Sequence, residues 1–149
     1  MEYAVEPALS PHLTVDDAGA AVDFYVKAFG AVEIGRVPRA DGKLIHAAVR
    51  INGQTVMLND DFPEMCGGRS MTPKALGGTP VTIHLTVTDV ENSFRQAVEA
   101  GATVVHPVQE QFWGDRYGVV ADPFGHRWSM GQPVREVGYE EIRRQVGGM

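Results

Sequence analysis

The chain contains one cysteine, Cys66, so no disulfide can form within it. This fits a reducing compartment, and cytoplasmic location is the expectation. Cys66 lies between Met65 and Gly67 with no activating base beside it, which reads as an incidental loop thiol. No run of Lys or Arg occurs, and the formal net charge is −6. An acidic chain without clustered cations is a poor partner for nucleic acid, where phosphate contacts supply most of the affinity. No apolar stretch approaches the roughly 20 residues that span a bilayer. Met1-Glu2-Tyr3 carries neither the basic region nor the apolar run of a secretory signal, so no membrane partner is expected. There is no Gly-x-Ser-x-Gly elbow, phosphate loop or Cys-x-x-Cys pair.

What the 149 residues do contain is ordinary for a globular protein, 44% hydrophobic and 21% charged, and enough for one domain with a real core. They also contain a repeat. His12-Leu13-Thr14-Val15 recurs 72 residues later as His84-Leu85-Thr86-Val87. At that offset eight of the 21 positions from 12 to 32 are identical, including Asp17 with Asp89 and Val26 with Val98. Further on, Gly53 matches Gly125. The chain reads as two copies of one unit.

Each copy predicts the same elements. Residues 9–15 alternate, with Leu9, Pro11, Leu13 and Val15 on one side and Ser10, His12 and Thr14 on the other, the period of a half-buried strand. Asp16 or Asp17 then caps a helix whose apolar stripe is Ala18, Ala21, Val22, Tyr25, Val26 and Phe29, with Gly30 at its end. Strands are expected near 32–37, 43–51 and 54–59, joined by two-residue turns at Asp41-Gly42 and Asn52-Gly53. The second copy gives a strand at 81–87, an Asp89 cap, and a helix over 90–100 with Val90, Phe94, Ala97 and Val98 inward. Strands near 103–106, 116–121 and 126–130 complete it. The resulting organisation is a single domain over 1–149: module one at 8–60, a Gly/Pro-rich linker at 61–80, module two at 81–131, and a tail with a short helix at 132–149. The linker is either a lid or a plain connector. Residues 107–115 read as an aromatic insertion, and Tyr139 to Val146 as a helix that packs on the body or on a partner chain.

Val22-Asp23-Phe24-Tyr25 before Phe29-Gly30, and Asp122-Pro123-Phe124-Gly125 before His126-Arg127-Trp128, resemble the vicinal oxygen chelate superfamily. That superfamily includes glyoxalase I, extradiol dioxygenases, fosfomycin-resistance enzymes and bleomycin-binding proteins. Gln111-Phe112-Trp113-Gly114-Asp115-Arg116-Tyr117-Gly118 resembles a glyoxalase-like bacterial subgroup, and the likeness spans about residues 8–131. It implies an α+β fold of two tandem βαβββ modules forming a curved mixed sheet around a cavity, often as a homodimer. A shared fold does not carry a shared reaction.

The resemblance also places four cavity-facing metal-ligand positions, at Ser10, Met57, Thr82 and Ser129. None is His, Glu or Asp, the donors that offset an ion's lost hydration. No cofactor is therefore expected. A divalent metal stays open only through His12 and His84, each two residues after a lost position, with His46 as a third donor. Otherwise those histidines bond to neighbouring threonines or backbone.

Strand alternation puts Ile45, Ala47, Val49 and Ile51 toward the helices and His46, Ala48 and Arg50 on the open face. The same count puts Tyr117, Val119 and Ala121 in the core and Arg116, Gly118 and Val120 on the open face. The candidate ligand-binding residues are then His12, His46, Arg50, Met57, His84, Phe112, Trp113, Arg116 and Ser129. Arg50 and Arg116 either clamp an acidic substituent or pair with Asp60, Asp61 or Asp115. Trp113 either stacks a ligand or packs a subunit contact. Three functions compete: a metal-independent binding protein for a polar or aromatic small molecule, as in resistance by sequestration; a lyase, isomerase or dioxygenase using His12 and His84; and an interaction module built on the aromatic insertion and C-terminal helix.

Overall fold

A computed structural model describes residues 8–149. The chain forms two compact units that meet in sequence between Gly78 and Thr79. The first runs β1 (His12–Val15), α1 (Ala18–Phe29), β2 (Val32–Pro38), β3 (Leu44–Ile51) and β4 (Gln54–Asp60), then a single 3-10 turn at Pro63–Met65 and a one-turn α2 (Pro73–Leu76). The second runs β5 (Thr82–Thr86), α3 (Val90–Ala100), β6 (Thr103–Glu110), β7 (Asp115–Ala121), β8 (Arg127–Pro133) and α4 (Tyr139–Gly147). The sheets are ordered β1-β4-β3-β2 and β5-β8-β7-β6. In each, the first strand pairs parallel to the last and the rest is antiparallel. The fold is thus α+β, two tandem βαβββ modules, as the repeat predicts. Among the described residues no helix is long and apolar enough to cross a membrane.

The repeat extends to helix capping. Asp17 accepts a bond from the Ala20 N–H (3.0 Å), and Asp89 does the same for Asn92 (3.1 Å). The last strand of each sheet adds a second cap. Asp60 Oδ1 takes the Ala18 N–H at 2.8 Å, and Gln132 Oε1 takes the Val90 N–H at 2.9 Å. Each satisfies an N–H that the helix itself leaves open. The caps tie each helix to its own sheet, and the apolar faces close between them. Val15, Val22, Tyr25, Val49 and Leu58 are fully buried in the first unit, and Val90, Val120, Trp128 and Met130 in the second. Each such aliphatic side chain contributes about 1.5–3 kcal/mol. Val26 and Val98, expected inward, are exposed, while Phe24 and Ala28 are buried. The inward arc of α1 lies further round the helix than the stripe drawn from Val26 and Phe29.

Several expectations need correction. Asn52 and Gly53 both have positive φ (50° and 77°), as a two-residue turn demands. At Asp41-Gly42 only Gly42 does (88°), and the Arg39 N–H bonds to the Lys43 carbonyl, so the loop has three residues. Ile45 is half exposed rather than in the core, because the β2–β3 register slips between Val37 and Pro38 and leaves it over. Residues 107–115 are not an insertion: β6 continues to Glu110, and Gln111 to Gly114 form the turn into β7. The linker has structure of its own and is held to the first unit. Asp61 accepts from the Ser70 hydroxyl (2.5 Å) and the Met71 N–H (3.1 Å), and Lys74 pairs with Asp16 (3.0 Å).

Asp122 explains the Asp-Pro-Phe-Gly motif. Its Oδ1 accepts the N–H groups of Phe124 and His126, and its Oδ2 accepts the indole N–H of buried Trp128, each at 2.9 Å. The carboxylate shapes the β7–β8 turn and satisfies a core side chain at once.

Candidate functional site

Each sheet packs its helix on one face, and the opposite face, termed the open face, carries in the second unit the buried Val119 and Ser129 beside the exposed His84. In the second unit this face is laid out by strand register: Tyr117 stands beside Gly131, Val119 beside Ser129, and Ala121 beside Arg127, with His84 of β5 beside Ser129 on its other side. This reverses the parity expected for β7. A Cβ on Gly118 would meet the Phe94 ring of α3 at 2.8 Å, so Gly118 faces the helix, with Val120 fully buried beside the same helix. Arg116 faces it too, donating from Nε to Glu91 of α3 at 2.9 Å. Arg116 is therefore not on the open face, and its partner is none of the three aspartates expected. Tyr117 is not a core residue but lies on the open face.

The reason is a change of offset. β1 and β4 match β5 and β8 at 72 residues, as His12 beside Met57 and His84 beside Ser129 show. The two intervening antiparallel strands match at 71: Ala48 beside Met57 corresponds to Val119 beside Ser129. α3 has 11 residues against 12 in α1, and the β7–β8 turn restores the lost one. A slip of one residue turns every side chain of a strand to the other face.

With that parity the side chains converge. The His84 Nδ1 and the buried Ser129 hydroxyl lie 2.7 Å apart. The His84 ring stacks on Tyr117 (centroids 6.0 Å, planes 18° apart). Tyr117 meets Trp113 edge-on at 5.5 Å, and Trp113 meets Phe112 edge-on at 5.2 Å. Trp113 donates its indole N–H to Asp115 Oδ2 (3.2 Å). The result is a row of four rings, a favourable arrangement for aromatic pairs. The Ser129 hydroxyl borders its His84 end, and the Asp115 carboxylate lies alongside it, bonded to Trp113 and facing His84 across Gly131. Gly131 makes room for it, since a Cβ there would stand 2.9 Å from the His84 ring and 3.2 Å from Asp115 Oδ2.

The turn that carries Phe112 and Trp113 is strapped from behind. Arg135 donates to the carbonyls of Gln111 (3.1 Å) and Phe112 (3.4 Å) and pairs with Glu110 (3.3 Å). Val134 N–H bonds to the Gly114 carbonyl at 2.9 Å. Gly114 has φ +103°, and a Cβ on it would collide with the Arg135 carbonyl oxygen.

Four of the expected residues, His84, Phe112, Trp113 and Ser129, thus come together, and Tyr117 and Asp115 join them. Counting the shorter second helix into the repeat would have found Tyr117. His12, His46, Arg50 and Met57 lie in the first unit. His12 and Ala48 flank Met57 on β4, and Arg50 stands beside Val32 and Thr55. Neither Asp60 nor Asp61 pairs with Arg50. Asp60 accepts the Ala18 and Leu44 N–H groups, and Asp61 is held by Ser70 and Met71.

The four positions that hold a metal ion by resemblance do not fit one here. They offer three hydroxyls and a thioether, and the Ser129 oxygen is already bonded to His84. The Ser10 oxygen is buried without a partner, but a neutral hydroxyl is a weak ligand for a divalent ion. Among the described residues no three His, Cys, Asp or Glu side chains are grouped to bind a metal.

A model of the Glyoxalase/Bleomycin resistance protein/Dioxygenase superfamily matches residues 7–130. An uncharacterized protein of Mycobacterium bovis is 74% identical over 143 residues, covering 96% of this chain and 94% of the relative. TioX from Micromonospora sp. ML1 is similar in structure, with a TM-score of 0.66, 31% identity, and coverage of 86% of this chain and 99% of that one. A gene product of Arabidopsis thaliana gives a TM-score of 0.68 at 30% identity, covering 85% and 99%.

Proposed function

This chain belongs to the Glyoxalase/Bleomycin resistance protein/Dioxygenase superfamily, and we propose that within it the chain is a binding protein that works without a divalent ion. It captures a planar aromatic small molecule on the open face of its second module, a role suited to sequestration or resistance. The observation that carries this reading is the continuous row of rings from Phe112 through Trp113 and Tyr117 to His84. Ligand sites combine apolar walls with a few convergent polar groups, and here the polar groups are the Ser129–His84 pair and Asp115. Stacking holds the plane of the ligand, and the polar groups set its orientation.

The metal-ligand positions support the same reading, because their donors favour organic contact over ion binding. Calorimetric titration with a panel of two-ring and three-ring aromatic compounds tests it, on protein purified without chelator and then dialysed against EDTA. The expected outcome is binding that survives EDTA and weakens by about tenfold or more in Trp113→Ala, the scale of a lost stacking contact. Stoichiometric Zn, Ni, Mn or Fe in the purified protein, with loss of binding on its removal, would contradict it.

A further inference from the structure

We propose that the second module's open face selects an aromatic cation, with the positive charge held against Asp115 and the rings of Trp113 and Tyr117. The proposal deepens the binding role above and rests on it.

Asp115 is half-buried, and its one side-chain bond is the 3.2 Å contact from the Trp113 indole. The Lys and Arg side chains around it are spoken for or remote, and its nearest basic neighbour is the His84 imidazole, since a Cβ on Gly131 would stand 3.2 Å from both His84 Nε2 and Asp115 Oδ2. Its sequence neighbour Arg116 points to the opposite face and pairs with Glu91. Arg135 is taken up by Glu110 and two carbonyls. Arg127 shares this face of β8 but stands beside Ala121, whereas Asp115 stands beside Pro133. That is six residues along β8, about 20 Å at the rise of an extended strand. Among the described residues no Lys or Arg neutralises this carboxylate.

A carboxylate without a Lys or Arg partner, set beside aromatic faces, favours one class of ligand. The ring faces carry negative quadrupole density and attract cations. A neutral aromatic laid on them strips water from the carboxylate and gives nothing back. An anion is repelled by the carboxylate and by the faces alike. A planar cation satisfies both, stacking on the rings while its charge meets Asp115. The net charge of −6 favours the approach of the same class.

Two probes of one shape separate the possibilities: N-methylquinolinium, a cation, and 1-methylnaphthalene, its neutral counterpart, titrated calorimetrically into the full chain. The expected result is a Kd for the cation at least about tenfold lower than for the neutral compound. In Asp115→Asn, which keeps an oxygen for the Trp113 indole, the preference should fall below about threefold through loss of affinity for the cation alone. Should that variant fail to fold, wild-type protein gives the same answer through salt. Raising ionic strength from about 0.02 M to about 0.5 M should weaken the cation and leave the neutral probe unmoved. Equal or tighter binding of the neutral compound overturns the proposal and leaves the aromatic binding role standing. An unchanged preference in Asp115→Asn also overturns it. Failure of both probes to bind removes the binding role and this proposal together.

Discussion

At the scale of single residues the second unit is governed by glycines that make room. Gly131 lets His84 and Asp115 lean over β8, Gly118 admits the Phe94 ring, and Gly114 takes a φ of +103° beneath the Arg135 carbonyl. Of the three, Gly114 is the most constrained, because both its backbone angle and its neighbour exclude a side chain. Gly114→Ala should destabilise the protein by about 2 kcal/mol or more, the combined cost of a left-handed non-glycine residue and a displaced backbone contact. Urea denaturation followed by circular dichroism measures it. The same variant should change the near-UV signal of Trp113, since the turn that carries Phe112 and Trp113 hangs from this contact. These roles were not legible in the sequence. A glycine reads as a turn, and only the neighbouring side chain shows whether it is there for space.

At the scale of elements most of the fold was legible. Period-2 alternation, Asp caps and Gly stops located all eight strands and both long helices to within a few residues, because those signals are local. The errors came where a local signal met a longer-range count. One residue fewer in α3 moved β7 by one step against the repeat, which sent Tyr117 to the core and Arg116 to the open face on paper. The Asp41-Gly42 hairpin erred for a related reason, since a two-residue and a three-residue loop share that dipeptide.

This hairpin also gives a pH prediction. Arg39 bonds Asp41 at 2.5 Å, reaches Glu64 at 3.2 Å and lies over the Phe62 ring at 4.6 Å. The Arg39 hydrogen bond holds the Asp41 carboxyl down to about 2. Glu64 is lowered as well, first by a backbone hydrogen bond at its own residue and then by Arg39. A carboxylate depressed in the folded state contributes stability above its unfolded pKa and loses it as pH falls through the folded value. The Tm difference between wild type and Arg39→Gln should therefore be level from neutral pH down to about 5 and shrink between about 5 and 2. Both groups are solvent-exposed, so the difference should be small and reduced further by salt.

At the scale of the whole molecule, two modules of one design carry different side chains on equivalent faces. His12 beside Met57 answers His84 beside Ser129, and His46 answers Tyr117 at the shorter offset. On this face the second module arrays four rings in a continuous row with a carboxylate alongside. The repeat was visible in the sequence and so was the loss of metal donors. The row was not, because it depends on the face of a single strand.

The two tryptophans offer the most direct test of the central claim, since Trp113 sits in the row and Trp128 is buried on the helix side, bonded to Asp122. Their indole N–H resonances in a nitrogen-15 spectrum are separate reporters, assigned with Trp113→Phe. On titration of EDTA-treated protein with an aromatic ligand, the Trp113 resonance should shift in a saturable way while that of Trp128 stays in place. A shift confined to Trp128, or one that appears only after a divalent metal is added, would contradict a metal-independent site on this face.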